Sequence, residues 1–343
     1  MSTEPDPVAD HGRGMDPHRY QPEPTLTAGE IAERAGLDFD TAQRFNRALG
    51  FADVDESARE FSERDAEVLG SLKSLLDLGI PLPELIAVAR VYGQSLAAIA
   101  DAETRLFNDH LVAPLLTEGR SIDEVEDRLE PVVNQQLDVL GNALDYVHRR
   151  HLAMALPTLT AGRGEVDGEQ TAIAFADLVD FSRLADKMHG TELGELVDWF
   201  EDVVIEATVD PGVRIVKMIG DAAMLAGRDS RTVLAAALDI VRRVGEDERL
   251  PGARAGVDFG NVVAQAGDYF GRSVNVAARL VAFARPGTTV ASQELVDVVG
   301  EDAIETSKIG THRLKGVGRV RMLKVNAIKS GGGDPGAVRS PMS

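Results

Sequence analysis

The run Arg214-Ile215-Val216-Lys217-Met218-Ile219-Gly220-Asp221-Ala222-Ala223-Met224 constrains this chain more than any other stretch. Two apolar segments, alternating and β-branched, flank a Gly-Asp pair, and such a pair between such segments signals a short β-hairpin. A hairpin commits the surrounding chain to a sheet, and this one holds a carboxylate at its tip. Asp221 at a rigid turn can bind a cation. Lys217, four residues earlier, adds a fixed positive charge that a strand does not need for folding. A Gly-Asp turn and a solvated lysine also occur as plain structure, so the chemical reading depends on what stands at matching positions elsewhere.

The texture of the chain divides it. With 343 residues and 44% apolar composition it is long enough for two domains of ordinary globular character. From Leu26 to about Arg150 apolar residues recur at three and four, and Thr27 stands three before Glu30 as a helix-start signal. Gly162 to Gly168 form a polar, glycine-rich break, after which strands alternate with helices. This predicts a helical regulatory domain over residues 25–156, a linker over 157–167 and a second domain over 168–329. Residues 1–24 and 330–343, rich in Pro, Gly and polar side chains, are expected to be disordered.

Composition narrows the function classes. The chain has no cysteine, which excludes a disulfide framework and thiolate metal sites and leaves oxygen or imidazole as ligands. The N-terminal residues lack the basic and apolar regions of a signal peptide, and no run of about 18 uninterrupted apolar residues is present. The expectation is a soluble, cytoplasmic protein without a membrane partner. A formal charge of -20 repels nucleic acid and anionic lipid as a whole.

Two features of the helical half carry possible function. Ala28 to Asp38, Thr41 to Leu49 and Phe61 to Asp65 resemble the winged helix-turn-helix of MerR-type regulators, with Arg44 and Arg47 sharing a face that can meet phosphate. Acids nevertheless outnumber bases about two to one between Leu26 and Arg150, the reverse of a DNA-binding footprint. A nucleic-acid partner is therefore not expected. After Pro131, read as a helix start, Val133, Leu137, Leu140, Leu144, Val147, His151 and Met154 follow an a/d spacing. That row suits two paired helices or one amphipathic helix lying on its own domain. His151 is the ionisable member and the regulatory candidate. In a paired seam two neutral imidazoles fit, whereas two imidazolium ions repel, so pairing would weaken below about pH 6.5.

The second domain repeats the hairpin's chemistry. Thr171 to Leu178 is an apolar strand ending in Asp177, and Val179-Asp180-Phe181-Ser182 leads into a helix near Arg183. A carboxylate beside free helix N-H groups suits a metal-chelated phosphate. If their strands are neighbours, Asp177 and Asp221 together can hold two hard divalent cations. Farther on, Gly267 to Arg279 joins a glycine turn to a helix on which Asn275 and Arg279 stand one turn apart, able to aim an amide and a guanidinium at one ligand.

Together these residues resemble the catalytic domain of class III nucleotidyl cyclases, over about residues 168–328. The resemblance implies an α+β catalytic domain with a ferredoxin-like βαββαβ core, preceded by an all-α regulatory domain. It implies that Asp177 and Asp221 bind two Mg²⁺ or Mn²⁺ ions per site and that Lys217 and Asp268 select adenine. It further implies that Asn275 and Arg279 stabilise the transition state, and that Lys315, in Arg313-Leu314-Lys315-Gly316, meets the triphosphate. The implied protein is a homodimeric adenylate cyclase, a phosphorus-oxygen lyase making 3′,5′-cyclic AMP and pyrophosphate from ATP, with metal aspartates from one chain facing base-selecting and transition-state residues from the other. The helical half makes the chain similar to actinobacterial cyclases that respond to acid, with activation on acidification the expected direction. Asp180 departs from the family, which often has glycine there, and Val263 to Asp268 is short. Two rival readings are a nucleotide-sensing DNA-binding regulator, which need not keep every catalytic position, and a guanylate cyclase, which Lys217 with Asp268 opposes.

Overall fold

A computed structural model of the protein describes residues 22–156, 169–210 and 212–329. Contacts divide the chain into two compact units that separate at Arg163 and Gly164. The linker expected over 157–167, the C-terminal tail, and most of the expected N-terminal disorder lie outside the described residues.

In the first unit, the Thr27 hydroxyl accepts from the Glu30 amide at 3.1 Å and the Glu30 carboxylate accepts from the Thr27 amide at 2.7 Å. That reciprocal cap starts helix α1 (Ala28–Ala35), which ends at Gly36 in the left-handed region, φ 68°. Asp38 caps α2 (Phe39–Ala48) by accepting from the Thr41 amide at 2.8 Å. The unit is not purely helical, because β1 (Leu26–Thr27) pairs antiparallel with β2 (Arg59–Phe61) ahead of α3 (Glu63–Asp77). These strands are too short to show a period of two in the sequence. Phe45, Ile31, Leu69 and Leu85 fill the core, and α4 (Leu82–Phe107) presses on the end of α2 at Gly93, where a Cβ would lie 2.5 Å from the Leu49 carbonyl. A π-turn (Asn108–Val112) and α5 (Ala113–Thr117) follow. Among the described residues the stretch Leu82–Thr117 is long and apolar enough to cross a membrane, by length and composition only. It carries Arg90 and buries Leu85, Ala89 and Gly93 within the unit.

Helix α6 spans Ile122–Ala155, so Pro131 lies inside it and does not begin it. The signal that prevailed is the capping box at Ser121 and Glu124, whose amides and side chains bond each other at 3.2 and 3.3 Å. Val125 and Leu129 anchor its first turns in the core. Beyond them the apolar row stands open: Leu137 is 42%, Val147 47% and Met154 59% exposed. His151 is exposed with them. Val133 and Leu140 of the same row are half-buried, so the open part is chiefly its C-terminal half. Beside this row, one turn from Leu144, the His148 ring packs edge to face on Tyr92 of α4 at 6.0 Å.

The second unit is built on one sheet. Strands β3 (Glu169–Leu178), β4 (Arg214–Ile219), β5 (Ala222–Gly227) and β6 (Ala253–Gln265) are joined through α7 (Phe181–Ala185), α8 (Gly190–Ala207) and α9 (Ser230–Gly245). They lie in the order β4-β5-β3-β6, all antiparallel, which is the ferredoxin-like βαββαβ arrangement. Past β6 come the short β7 (Asp268–Phe270), α10 (Arg272–Val281), β8 (Thr288–Ser292), α11 (Gln293–Val299), β9 (Ile304–Leu314) and β10 (Gly318–Ile328). β8, β10 and β9 extend the sheet in that order, with β8 parallel to β6.

Alternation along β3 sorts the two faces. Ala172, Ala174 and Ala176 point to a core closed by Leu196, Phe200 and Val204 of α8, Leu234 and Ile240 of α9, and Leu295 of α11. Ile173 points to the opposite face, where Ala277 of α10 packs with Met224 and Val262. Glycines let α10 sit close to β6. A Cβ at Gly256 would lie 2.4 Å from the Ala277 carbonyl oxygen, and one at Gly260 would lie 2.4 Å from the Ser273 hydroxyl.

Candidate active site

The Gly220-Asp221 turn joins β4 directly to β5, with Gly220 left-handed at φ 60°. Pairing of β5 with β3 sets Asp177 opposite Ala222, and the Leu178 amide donates to the Asp221 carbonyl at 3.0 Å. The two aspartates, 44 positions apart in sequence, are thereby neighbours. Burial pushes the Asp177 carboxyl up, against the pull of an adjacent arginine, and the charge of Asp221 adds to the rise.

That arginine is Arg254, which sequence reasoning missed. It stands opposite Asp177 in the β3–β6 register, and its Nε and Nη2 donate to Asp177 Oδ2 at 2.9 and 2.7 Å. The available signal was a lone cation in Gly252-Ala253-Arg254-Ala255-Gly256, inside a strand otherwise apolar at its start. Only the strand order says which carboxylate it meets.

Asp180 adopts the left-handed conformation, φ 55° and ψ 24°, immediately before α7, and its carbonyl accepts from the Arg183 amide at 3.0 Å. Glycine takes this conformation without strain, and aspartate is among the few other residues that tolerate it. The side chain is exposed. The helix begins at Phe181, ahead of the expected start near Arg183, and is only five residues long.

Lys217 on β4 and Asp268 at the start of β7 form an ion pair with each other through Nζ and Oδ2. Burial raises the Asp268 carboxyl, but the Lys217 ammonium, the Tyr269 amide at 2.8 Å and the Arg214 charge outweigh it and hold Asp268 below the usual range. Arg214 braces the loop by donating to the Gly267 carbonyl at 3.0 Å and lying 5.2 Å over the Tyr269 ring. Asn275 and Arg279 are exposed on α10, and Asn275 Nδ2 donates to the Gly271 carbonyl at 3.2 Å. Lys315 is exposed in the turn between β9 and β10. Among the described residues no hydrogen bond or ion pair ties Asn275, Arg279 or Lys315 to Asp177 or Asp221. Within one chain the side chains thus form three groups not bonded to one another: a carboxylate pair with Arg254, a lysine–aspartate pair, and an amide and guanidinium on a helix.

Two adjoining carboxylates are hard oxygen donors of the kind that Mg²⁺ and Mn²⁺ prefer. No cluster of three or more metal-binding side chains occurs among the described residues, so phosphate or water oxygens would have to complete a cation's shell. Both guanidinium bonds to Asp177 fall on Oδ2, an arrangement compatible with a cation on the other oxygen. The residues fit such an ion.

A carboxylate pair on a ferredoxin-like sheet, with an arginine-bearing helix packed on it, suits metal-assisted chemistry on a phosphate. Residues 166–327 match the adenylate and guanylate cyclase catalytic domain, and residues 21–152 match the adenylate cyclase regulatory domain. The chain is 31% identical over 323 residues to a pH-sensitive adenylate cyclase of Mycobacterium tuberculosis, covering 90% of this chain and 80% of that one. It is 38% identical over 263 residues to an adenylate cyclase of Streptomyces coelicolor, covering 75% and 67%. With an adenylate cyclase of Streptomyces griseus it shares 34% over 287 residues, covering 83% and 69%. The chain belongs to the adenylate cyclase family, in which a regulatory domain here precedes the catalytic one.

Proposed function

We propose that the chain cyclises ATP to 3′,5′-cyclic AMP, as a homodimer with composite sites, under control of its N-terminal unit. The observation that carries this reading is the juxtaposition of Asp177 and Asp221. In the reaction the ribose 3′-oxygen bonds to the α-phosphorus, the bond from that phosphorus to the β-phosphate oxygen breaks, and the hydroxyl proton is released with pyrophosphate. Two divalent cations on Asp177 and Asp221 would supply activation of the hydroxyl and neutralisation of phosphate charge. Arg254, already beside Asp177, and Lys315 offer cations to the triphosphate, and Arg279 offers its guanidinium to charge developing on the α-phosphate. Asn275 orients the ribose.

The Lys217–Asp268 pair supports adenine over guanine. The ammonium donates to an adenine ring nitrogen, and the carboxylate accepts from the exocyclic amine. Guanine reverses that polarity and leaves both groups facing the wrong partner. That Asn275 and Arg279 make no bond to the carboxylates among the described residues of one chain supports the composite arrangement, in which a twofold dimer brings the carboxylates of one protomer to the α10 residues of the other. The exposed Leu137, Leu144, Val147 and Met154, with His151 among them, support pairing of the two α6 helices as the route of control.

The test is incubation of the purified full-length protein with ATP or GTP and Mg²⁺ or Mn²⁺, identifying product by mass. Cyclic AMP is expected, with turnover lost in Asp177→Ala and in Arg279→Ala and regained when the two inactive proteins are mixed. Retention of most activity by Asp177→Ala would remove the carboxylate pair from the chemistry. Continued silence of a mixture shown to exchange subunits would place each site within one chain.

A further inference from the structure

Asp258 is a buried carboxyl that the reaction as described does not use. It stands on β6 between Gly256, where the α10 backbone closes on the sheet, and Gly260, where the Ser273 hydroxyl does, and it is 1% exposed. Residues two apart on a strand share a face, so Asp258 looks toward α10 along with both glycines. Ile173 of β3 is its register partner. Neither carboxylate oxygen has a hydrogen bond of good geometry, while the hydroxyls of Ser273 and Ser292 lie near enough to favour the anion. Ser273 belongs to the first turn of α10, two residues before Asn275, and Ser292 ends β8.

A valine or leucine would fill this space without the cost of burying a carboxyl, so folding alone does not call for an acid here. What the acid adds is a specific attachment. An anion accepts strongly from hydroxyl donors and is favoured near the positive end of a helix. The structure assigns Asp258 the role of a positioning residue: as an anion it seats the first turn of α10 through Ser273 and so fixes the aim of Asn275 and Arg279, and as a neutral acid it slackens that seat. The inference rests on Asn275 and Arg279 acting on the nucleotide.

The surroundings put the change of state within reach of ordinary pH. Burial pushes the carboxyl up to about 6, against the pull of Ser292 and Ser273, and the Glu294 charge on α11 adds to the rise. Glu294 is the charged side chain that bears on it. What β3, β8 and α10 turn toward it, Ile173, Ser292 and Ser273, is uncharged, and α9 packs on the opposite face of β6, that of Ala255 and Val257.

The experiment compares full-length wild type with Asp258→Asn, a near-isosteric side chain that stays neutral and stands in for the protonated acid. The kcat and KM for ATP are measured from pH 5 to pH 8. Other titrating groups, the N-terminal unit's included, cancel in the ratio of the two kcat values. That ratio is expected to approach one at pH 5, to rise through a midpoint near 6, and to level off at tenfold or more above pH 7, with KM for ATP little changed. Ser273→Ala removes a donor to the anion and is expected to move the wild-type midpoint to higher pH. A ratio independent of pH, an equal loss in kcat and in affinity for ATP, or an unmoved midpoint in Ser273→Ala would each overturn the assignment. A wild type that makes no cyclic AMP at any pH would overturn the proposed function itself.

Discussion

Gly256→Ala tests how finely α10, which carries Asn275 and Arg279, is seated. The added Cβ would lie 2.4 Å from the Ala277 carbonyl oxygen, 2.6 Å from the Val281 amide nitrogen and 2.8 Å from the Leu280 Cβ. Two of these neighbours are backbone, so no side chain can rotate away. Restoring ordinary contact at about 3.4 Å requires α10 or β6 to move by roughly 1 Å, and overpacking of this kind costs about 1–3 kcal/mol. Asn275 and Arg279 ride on the helix that must move, and a misplacement of about 1 Å can cost on the order of 10²-fold in rate. Thermal unfolding should therefore fall by several degrees, roughly 2–4 °C per kcal/mol for a unit of this size. The kcat should fall by about two orders of magnitude in protein that is still folded. Gly141→Ala is the control. Nothing lies within 4 Å of a Cβ there, and in mid-helix alanine should stabilise α6 by about 0.5–1 kcal/mol. Unfolding curves and steady-state cyclase assays on the three proteins decide the matter. If Gly256→Ala kept wild-type kcat and melting temperature, the close seat of α10 on β6 would be wrong.

Other perturbations read other parts of the chain. The Asp258 carboxyl, raised from 3.8 to about 6, implies a penalty for the buried anion of about 3 kcal/mol at neutral pH, at about 1.4 kcal/mol per unit. The penalty is absent below the unfolded value and appears as pH rises through the folded one, so the stability advantage of Asp258→Asn over wild type should grow between about pH 4 and pH 7 in denaturant titrations, and a pH-independent difference would contradict it. Lys217→Glu combined with Asp268→Cys should lower the ATP/GTP ratio of kcat/KM by at least about tenfold, since a mispaired buried polar group costs about 1–3 kcal/mol; an unchanged ratio would remove the pair from base selection. Deleting residues 1–160 should change both the activity and its pH profile, and His151→Ala should blunt the pH response of the full-length protein. A full response in His151→Ala would turn attention to His110, His148 or the unit's carboxylates.

Much of the catalytic unit was legible because its signals are local. The Gly-Asp hairpin, the apolar strand ending at Asp177, and Asn275 and Arg279 one helical turn apart each follow from a backbone period or a turn preference that a few consecutive residues set. The start of α1 at Thr27 and Glu30 was readable for the same reason. The start of α6 was misjudged where two local signals competed. Pro131 can open a helix, but Ser121 and Glu124 cap one earlier, and the buried Val125 and Leu129 hold the added turns in place.

The sequence by itself determined which residue types stand at strand ends, turns and helix faces, and so the chemistry on offer: carboxylate oxygens, an ammonium, an amide and guanidinium groups. Tertiary structure alone decided which of these meet. Strand order β4-β5-β3-β6 sets Asp221 beside Asp177 and brings Arg254 onto the same carboxylate from 77 residues away. It also places Asp258 between the two glycines under α10, where burial raises its carboxyl. Pairing register and burial depend on the whole packed sheet, and no window of sequence encodes the desolvation that turns an ordinary aspartate into one that titrates near 6.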